Sequence, residues 1–108
     1  MKRGEIRLVA GGVYASKPRP AVIVQDDHFA ALDSVTVCPL TSTVLDAPLL
    51  RLAIAADERS GLDTDSSVMV DKITTVRRSS VGARVGELSS DQLVDLERLV
   101  LVFLGIAR

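Results

Sequence analysis

Aromatic side chains and cysteines are both scarce in this 108-residue chain. Aromatic residues make up 3% of it, with one Tyr and no Trp, which argues against modules that stack single-stranded nucleic acid on aromatic platforms. Cys38 is the one cysteine, so no disulfide can form within the chain and a Cys-rich zinc site is excluded. Because Cys38 lies in an apolar stretch, we expect it to be a small, buried hydrophobic residue.

Histidines and long apolar runs are also lacking. His28 is the one histidine, which excludes a mechanism that uses two histidines as acid and base; it follows two aspartates, and we expect a solvated or structural role in a turn. The longest apolar run, residues 99–104, is too short to cross a bilayer, and the first residues lack the charged and apolar regions that predict a signal peptide. We therefore expect no membrane contact and a cytoplasmic location.

The length predicts one domain, residues 1–108, with a single core. Hydrophobic residues make up 47% of the chain, which is typical of a globular protein. The formal net charge of −1 conceals an uneven distribution, because residues 1–19 carry a net charge of +4 and residues 71–84 one of +3. If strand pairing joins these segments they form a positive face; scattered, solvated surface charge is the alternative.

Short apolar or alternating segments predict a mainly β fold. The predicted strands are residues 5–9, 20–25, 34–38, 49–55, 67–70 and 73–77. Loops are predicted at residues 10–18, which contain two glycines, and at residues 79–87, while Pro39 is expected to end the third strand. Short strands at close spacing, followed by one helix, favour a small curled β-barrel.

A C-terminal helix is predicted over residues 90–104. Ser89 and Gln92 match a capping box. Apolar residues then follow at helical spacing: Leu93, Leu96, Val100 and Phe103. The last turns, from Leu99 to Leu104, are apolar all round, which is more than one barrel face can cover. We therefore expect a second copy or another partner to cover the rest; a helix tucked under a loop is the alternative.

The residues with the clearest chemistry lie between 17 and 43. Arg19 stands between two prolines, which fix the backbone on both sides, and its planar donor fork matches phosphate oxygens. The strand predicted at residues 34–38 leads into three hydroxyl residues: Thr41, Ser42 and Thr43. A fixed cation with hydroxyls at strand ends suits the binding of a phosphate group. An exposed loop arginine and ordinary turn capping also fit these residues.

The order of several segments resembles the MazF/PemK family of toxin endoribonucleases. The matching segments run through most of the chain: KRGEIRLV, KPRPAVIVQ, VTVCPLTST, SSVMVDKITTV and VGELSSDQLVDLERLVLVFLG. RPAVIV followed by PLTST is the most specific pairing. The resemblance implies an SH3-like barrel with a C-terminal helix, a homodimer, and metal-independent, cofactor-free cleavage of single-stranded RNA at short sequences. It also implies a cognate antitoxin whose peptide occupies the RNA groove.

The resemblance also assigns roles to individual residues. Arg19 and Thr41 match the catalytic arginine and threonine of the family. Residues expected to contact RNA or its phosphates are Lys17, Ser42, Thr43, Asp71 and Lys72. The implied reaction is attack by the 2′-hydroxyl on the adjacent phosphorus, leaving a 2′,3′-cyclic phosphate and a 5′-hydroxyl. Asp71 is a candidate for the general base, but a turn aspartate is the favoured interpretation.

Two departures from the family pattern leave the cleavage sequence open. The first loop is short and lacks the acidic residue that many members carry, and Lys72 stands where glutamine is common. Two other functions also remain open from sequence. One is a toxin of the CcdB kind, which poisons gyrase through C-terminal residues, and the other is a non-catalytic SH3-like interaction module.

Overall fold

The structure, a computed structural model, describes residues 1–10, 17–43 and 45–107. Within these ranges the chain forms seven strands and one α-helix. In chain order these are β1 (Glu5–Val9), β2 (Arg19–Ile23), β3 (Ser34–Thr41), β4 (Arg51–Ile54), β5 (Ser66–Met69), β6 (Thr74–Arg77), β7 (Val81–Glu87) and α1 (Ser90–Phe103). Short 3₁₀ helices lie at Asp27–Phe29, Val70–Lys72 and Arg78–Ser80. Most of the loop predicted at residues 10–18 falls outside the described residues.

All seven strands belong to one antiparallel sheet, in the order β4-β5-β3-β2-β1-β7, with β6 pairing beside β3. β3 changes partners along its length, because its first half pairs with β6 and its last two residues pair with β5. The described chain measures 32 × 31 × 27 Å, so a sheet of this many strands must curl. The structure confirms the predicted mainly β, barrel-like fold with a C-terminal helix.

β2 is buried on both of its faces. Val22 packs in a hydrophobic cluster that also contains Cys38 and Leu96 of α1, while Ala21 and Ile23 pack in a second cluster on the other face. A strand covered on both sides has no need of polar residues at alternate positions. This explains the continuous apolar sequence that predicted a central strand. Burial raises the pKa of the Cys38 thiol to about 12, which agrees with its predicted role as a core residue.

Pro39 does not end the third strand, contrary to the prediction. The Val24 amide donates to the Thr36 carbonyl at 3.1 Å, so even-numbered residues of β3 direct their backbone groups toward β2. Pro39 therefore faces the other edge, in the gap between Val37, the last partner of β6, and Leu40, the first partner of β5. Because no ladder bond is made in that gap, the missing N–H costs nothing there.

Residues 81–87 form strand β7 and not the predicted loop. β7 pairs with β1 through an irregular register that includes Ile6 opposite Gly86 and Arg7 opposite Arg84. Two glycines and an alanine give this segment a low strand propensity, which is why the sequence suggested a loop. Pairing with β1 overrides that propensity, and it places Leu88 in the core at 6% exposure.

Helix α1 begins with the predicted capping box. The Ser89 hydroxyl accepts from the Gln92 amide at 3.1 Å, and the Gln92 side chain accepts from the Ser89 amide at 2.8 Å. Leu96 fixes the helix to the barrel and is 1% exposed. The apolar residues at the far end are exposed by 39 to 71%: Leu101, Val102, Phe103, Leu104 and Ile106. None of the helices in the described part of the chain has the length and apolar character that a membrane crossing needs.

Candidate active site

A groove of about 510 Å³ brings Arg19 and Thr41 together. This volume lies in the range of about 300–1,000 Å³ that is usual for ligand sites. One wall carries Arg19, Thr41 and Ser42, and the residues that complete the lining are Leu8, Pro20, Leu40, Gly61, Leu62, Asp63, Thr64, Ser66 and Val85. The arginine and two of the three hydroxyl residues that the sequence analysis singled out in separate segments therefore line a single cavity.

The register of β2 against β3 explains this meeting. Ala21 lies opposite Pro39 in the antiparallel ladder. Continued by two residues, the same register sets Arg19 opposite Thr41. Directly opposed residues of an antiparallel pair project on the same face of the sheet, with their Cβ atoms about 5 Å apart. Arg19 and Thr41 lie two residues beyond the last pair of this ladder, and both line the same groove.

Pro20 explains why the groove opens at this point. It is an even-numbered residue of β2, so its backbone faces β3, and it has no N–H to donate to the strand beside it. The last pair in the ladder between the two strands is Ala21 with Pro39, so the ladder stops at the residue that follows Pro20 in the chain. No ladder pair joins the two strands beyond this point, and the groove lies there.

The Thr41 hydroxyl is oriented by its own loop. Its oxygen accepts a hydrogen bond from the Thr43 amide at 3.1 Å, an interaction typical of threonine at the start of a turn. Because the oxygen is used as an acceptor, the hydroxyl hydrogen remains available to donate to a bound anion. Thr41 is half-buried and Ser42 is exposed beside it, so the groove offers hydroxyl donors next to the guanidinium.

The connection between β4 and β5 supplies other lining residues of the groove, and hydrogen bonds hold this connection in shape. The buried Ser60 hydroxyl donates to the Ala55 carbonyl at 2.8 Å, and the Ser60 amide donates to the Asp57 carboxylate at 2.8 Å. The Asp65 carboxylate accepts from the Ala56 amide at 2.7 Å. Residues 61–66 are therefore presented to the groove by a fixed loop, although the sequence indicated only a polar connection.

Two glycines let this loop lie directly against β7. A Cβ atom on Gly86 would come within 2.2 Å of the Ser60 carbonyl oxygen, and one on Gly61 within 2.0 Å of the Val85 carbonyl oxygen. The backbone at Gly61 also has a φ of +68°, which favours glycine. The Glu87 amide completes the contact by donating to the Arg59 carbonyl at 2.9 Å. Close backbone packing thus fixes the distance between the groove wall and the barrel.

The other predicted contact residues do not line this groove. Asp71 lies in the 3₁₀ helix after β5 and is ion-paired with Arg51 of β4, with both side chains largely buried. Lys72 follows it and is exposed. Lys17 and Thr43 flank the groove residues in sequence and are exposed, but they are not part of its lining. Their predicted roles in binding remain predictions.

Three of the six arginines in the two basic segments are ion-paired with carboxylates. Arg7 and Arg84 both bind Glu5, at 3.3 and 3.0 Å, and Arg3 binds Glu97 at 2.7 Å. Strand pairing does join the two segments, but it joins them around acids and not as one continuous positive face. Among the described residues Arg19 has no such carboxylate partner. Its charge is therefore available to the groove.

Asp63 is a lining residue that the sequence analysis missed. It supplies the one carboxylate among the described residues that line the groove, as Arg19 supplies the one cation. In sequence it is one of several acids in a polar connection, and no pattern distinguishes it from its neighbours. In the described ranges no three His, Cys, Asp or Glu side chains are grouped so that they could hold a metal ion.

Comparison with protein-family models identifies the class of protein. Residues 2–104 match the model of the PemK-like, MazF-like toxins of type II toxin–antitoxin systems. The chain belongs to this family.

A curated relative in Mycolicibacterium smegmatis is 53% identical over 108 residues, which cover 99% of both chains, and is named probable endoribonuclease MazF. Solved structures share the fold at lower identity. The Mycobacterium tuberculosis toxin MazF-mt6 superposes with a TM-score of 0.82 at 24% identity, over 96% of this chain and 99% of that one. A mycobacterial endoribonuclease in complex with its cognate antitoxin gives 0.81 at 21% identity, over 100% and 98%.

Proposed function

We propose that this protein is the toxin of a toxin–antitoxin pair and an endoribonuclease that cuts single-stranded RNA without a metal ion. The observation that carries the proposal is the meeting of Arg19 and Thr41 in one groove. A charged planar donor beside a hydroxyl donor suits a phosphodiester whose negative charge increases during reaction. The 53% identity to a protein named as an endoribonuclease supports the same activity.

The proposed reaction is an internal displacement at phosphorus. The 2′-oxygen of the RNA forms a bond to the adjacent phosphorus as its proton leaves to water. The bond from phosphorus to the 5′-oxygen breaks as that oxygen takes up a proton from water. The products are a 2′,3′-cyclic phosphate and a 5′-hydroxyl. Arg19 stabilises the added negative charge of the crowded phosphorane, while the Thr41 hydroxyl donates to a non-bridging oxygen.

Asp71 is not part of this proposal as a general base. Its carboxylate is ion-paired with Arg51, away from the lining of the groove. Catalysis then depends chiefly on preorganised donors, each of which contributes on the order of 3 kcal/mol in comparable sites.

We further propose a homodimer that acts in the cytoplasm and is neutralised by a cognate antitoxin. The exposed apolar end of α1, from Leu101 to Ile106, supplies a surface that a second chain can bury. A solved structure of similar fold contains an endoribonuclease with its cognate antitoxin. An antitoxin that occupies the groove would need to offer a carboxylate or another anion to Arg19.

The test is cleavage of a long single-stranded RNA in EDTA. We expect discrete cuts by the wild type, with product ends that carry a cyclic phosphate. Thr41→Ala and Arg19→Ala should each lower the rate by about 10²- to 10³-fold, because each removes a donor to the reacting phosphate.

Matched controls are Thr74→Ala and Arg77→Ala, which change exposed residues of β6 outside the groove. These two variants should cleave at the wild-type rate. Intact RNA after incubation with the wild type would reject the nuclease and favour one of the binding functions. Equal rates in Thr41→Ala and the wild type would remove Thr41 from the mechanism.

A further inference from the structure

We infer that Asp63 determines sequence specificity by accepting a hydrogen bond from the exocyclic amino group of an RNA base beside the cut. This inference rests on the proposed function, because it assigns a reader to the same groove. Asp63 lines the cavity that holds Arg19 and Thr41. It comes from the wall supplied by the β4–β5 connection, whereas the proposed catalytic pair comes from β2 and β3.

Asp63 has no role in building its own loop. Two other aspartates of this connection accept backbone amides that hold the loop in shape, Asp57 from Ser60 and Asp65 from Ala56. Asp63 makes no hydrogen bond or ion pair with the described residues, and it is exposed. Its carboxylate is therefore free to contact a ligand in the groove.

The charge of Asp63 decides which part of an RNA it faces. A carboxylate repels phosphate, and the repulsion is unfavourable in a groove that must bind a polyanion. It is a pure acceptor of hydrogen bonds, so the RNA groups that suit it are donors on the edges of unpaired bases. Phosphates are left to Arg19 and to the hydroxyls of Thr41 and Ser42 on the other wall.

Acceptor chemistry also predicts which bases are favoured. Cytosine, adenine and guanine each carry an exocyclic amino group, whereas uracil presents a carbonyl oxygen where cytosine has its amino group. A carboxylate placed to accept from the amino group of cytosine would repel that oxygen. The remaining edge donor of uracil, its N3–H, lies between two carbonyl oxygens, which repel the same carboxylate. Asp63 should therefore select an amino-bearing base and reject uracil at one position near the scissile bond. A bidentate pair between a side chain and a base discriminates by about 5- to 150-fold, and a single hydrogen bond belongs at the lower end of that range.

The experiment compares cleavage profiles on a single-stranded RNA library with random bases, using wild type, Asp63→Asn and Glu58→Gln. We expect the wild type to disfavour uracil by tenfold or more at one position beside the cut. Asp63→Asn should reduce that preference to below about threefold, because the amide both donates and accepts. The change should appear as a shift between bases at that one position, with cutting at uracil rising relative to cutting at the amino-bearing bases. Glu58→Gln changes an exposed carboxylate of the same connection outside the lining and should leave the profile unchanged.

The outcomes separate this inference from the proposed function. An Asp63→Asn profile identical to the wild type would overturn the role of Asp63 while the nuclease stands. A uniform loss of cutting at every sequence would overturn it too, since a reader changes preference between bases and not the rate at all of them. A wild type that leaves every RNA intact would reject both. Asp63→Ser serves as a second variant, and the circular dichroism of each variant checks its folding.

Discussion

Glu5 in β1 is the centre of a network of ion pairs and hydrogen bonds with Lys2, Arg7 and Arg84. Burial by itself would raise the pKa of its carboxyl, but hydrogen bonds from the Lys2 amide, Arg84 and Arg7 outweigh burial and lower that pKa to about 2. One carboxylate thus holds the start of the chain, its own strand and β7 together. It also engages two of the arginines that the sequence suggested were available for binding.

Replacement of Glu5 should therefore cost stability in a pH-dependent way. A pKa that folding lowers means that the stabilisation is fully present above the unfolded value of about 4.5 and is lost as the pH falls toward 2. We expect Glu5→Gln to lower the free energy of unfolding by about 2–3 kcal/mol at pH 7. The difference from wild type should shrink to near zero at pH 2, measured by urea unfolding.

Glu58→Gln is the control for this experiment, since Glu58 is exposed and makes no ion pair with any described residue. It should match the wild type at every pH. A Glu5→Gln variant that is as stable as the wild type at pH 7 would show that the network around Glu5 contributes nothing.

Among the elements, β7 has a role that the sequence did not indicate. Its backbone packs against the loop that lines the groove. Gly86 lies where Ser60 and Arg59 approach with their carbonyl groups, and a Cβ atom would meet both at 2.2 and 2.4 Å. Backbone atoms cannot move aside as the end of a side chain can. The position of the loop that carries Asp63 consequently depends on the absence of a side chain in a neighbouring strand.

Gly86→Ala should lower the free energy of unfolding by about 3 kcal/mol and reduce cleavage, because the loop must move to admit the methyl group. Gly82→Ala in the same strand is the matched control, as its Cβ atom would meet a single carbonyl oxygen at 3.4 Å. Urea unfolding and the RNA cleavage rate measure the two effects. Equal stabilities of the two variants would contradict the close packing of loop and strand.

At the scale of the whole molecule, the exposed apolar end of α1 is the surface on which association with a second chain depends. Leu96 anchors the helix, but the apolar residues beyond it remain exposed on a single chain. Each exposed aliphatic or aromatic side chain that becomes buried contributes on the order of 1.5–3 kcal/mol. A patch of five such residues is thus large enough to drive the proposed association of two chains.

Phe103→Asp should convert the protein to single chains at micromolar concentration. The introduced charge would have to be desolvated for the helix ends to pack, which is unfavourable. In sedimentation equilibrium we expect the wild type to have the mass of two chains and the variant that of one. Phe29→Asp is the control, since Phe29 is 55% exposed at a site far along the chain from α1. A wild type with the mass of one chain would contradict the dimer.

Local patterns in the sequence predicted much of the fold. β1, β2 and α1 were identified because alternation, a continuous apolar run and a capping box are short-range signals. β7 was missed because its glycines disfavour a strand, and only pairing with β1 makes it one. Pro39 was misjudged for a related reason, since its effect depends on which edge of β3 is paired at that point.

The amino-acid sequence by itself determined the kind of chemistry this protein can perform. A guanidinium held between two prolines and a hydroxyl at a strand end are properties of local sequence, and the family resemblance rests on the same segments. Only the tertiary structure decided that Arg19 and Thr41 share one groove, that Asp63 lines it too, and that Glu5 binds both Arg7 and Arg84. Those facts depend on strand register and backbone packing between residues far apart in the chain, which no local pattern encodes.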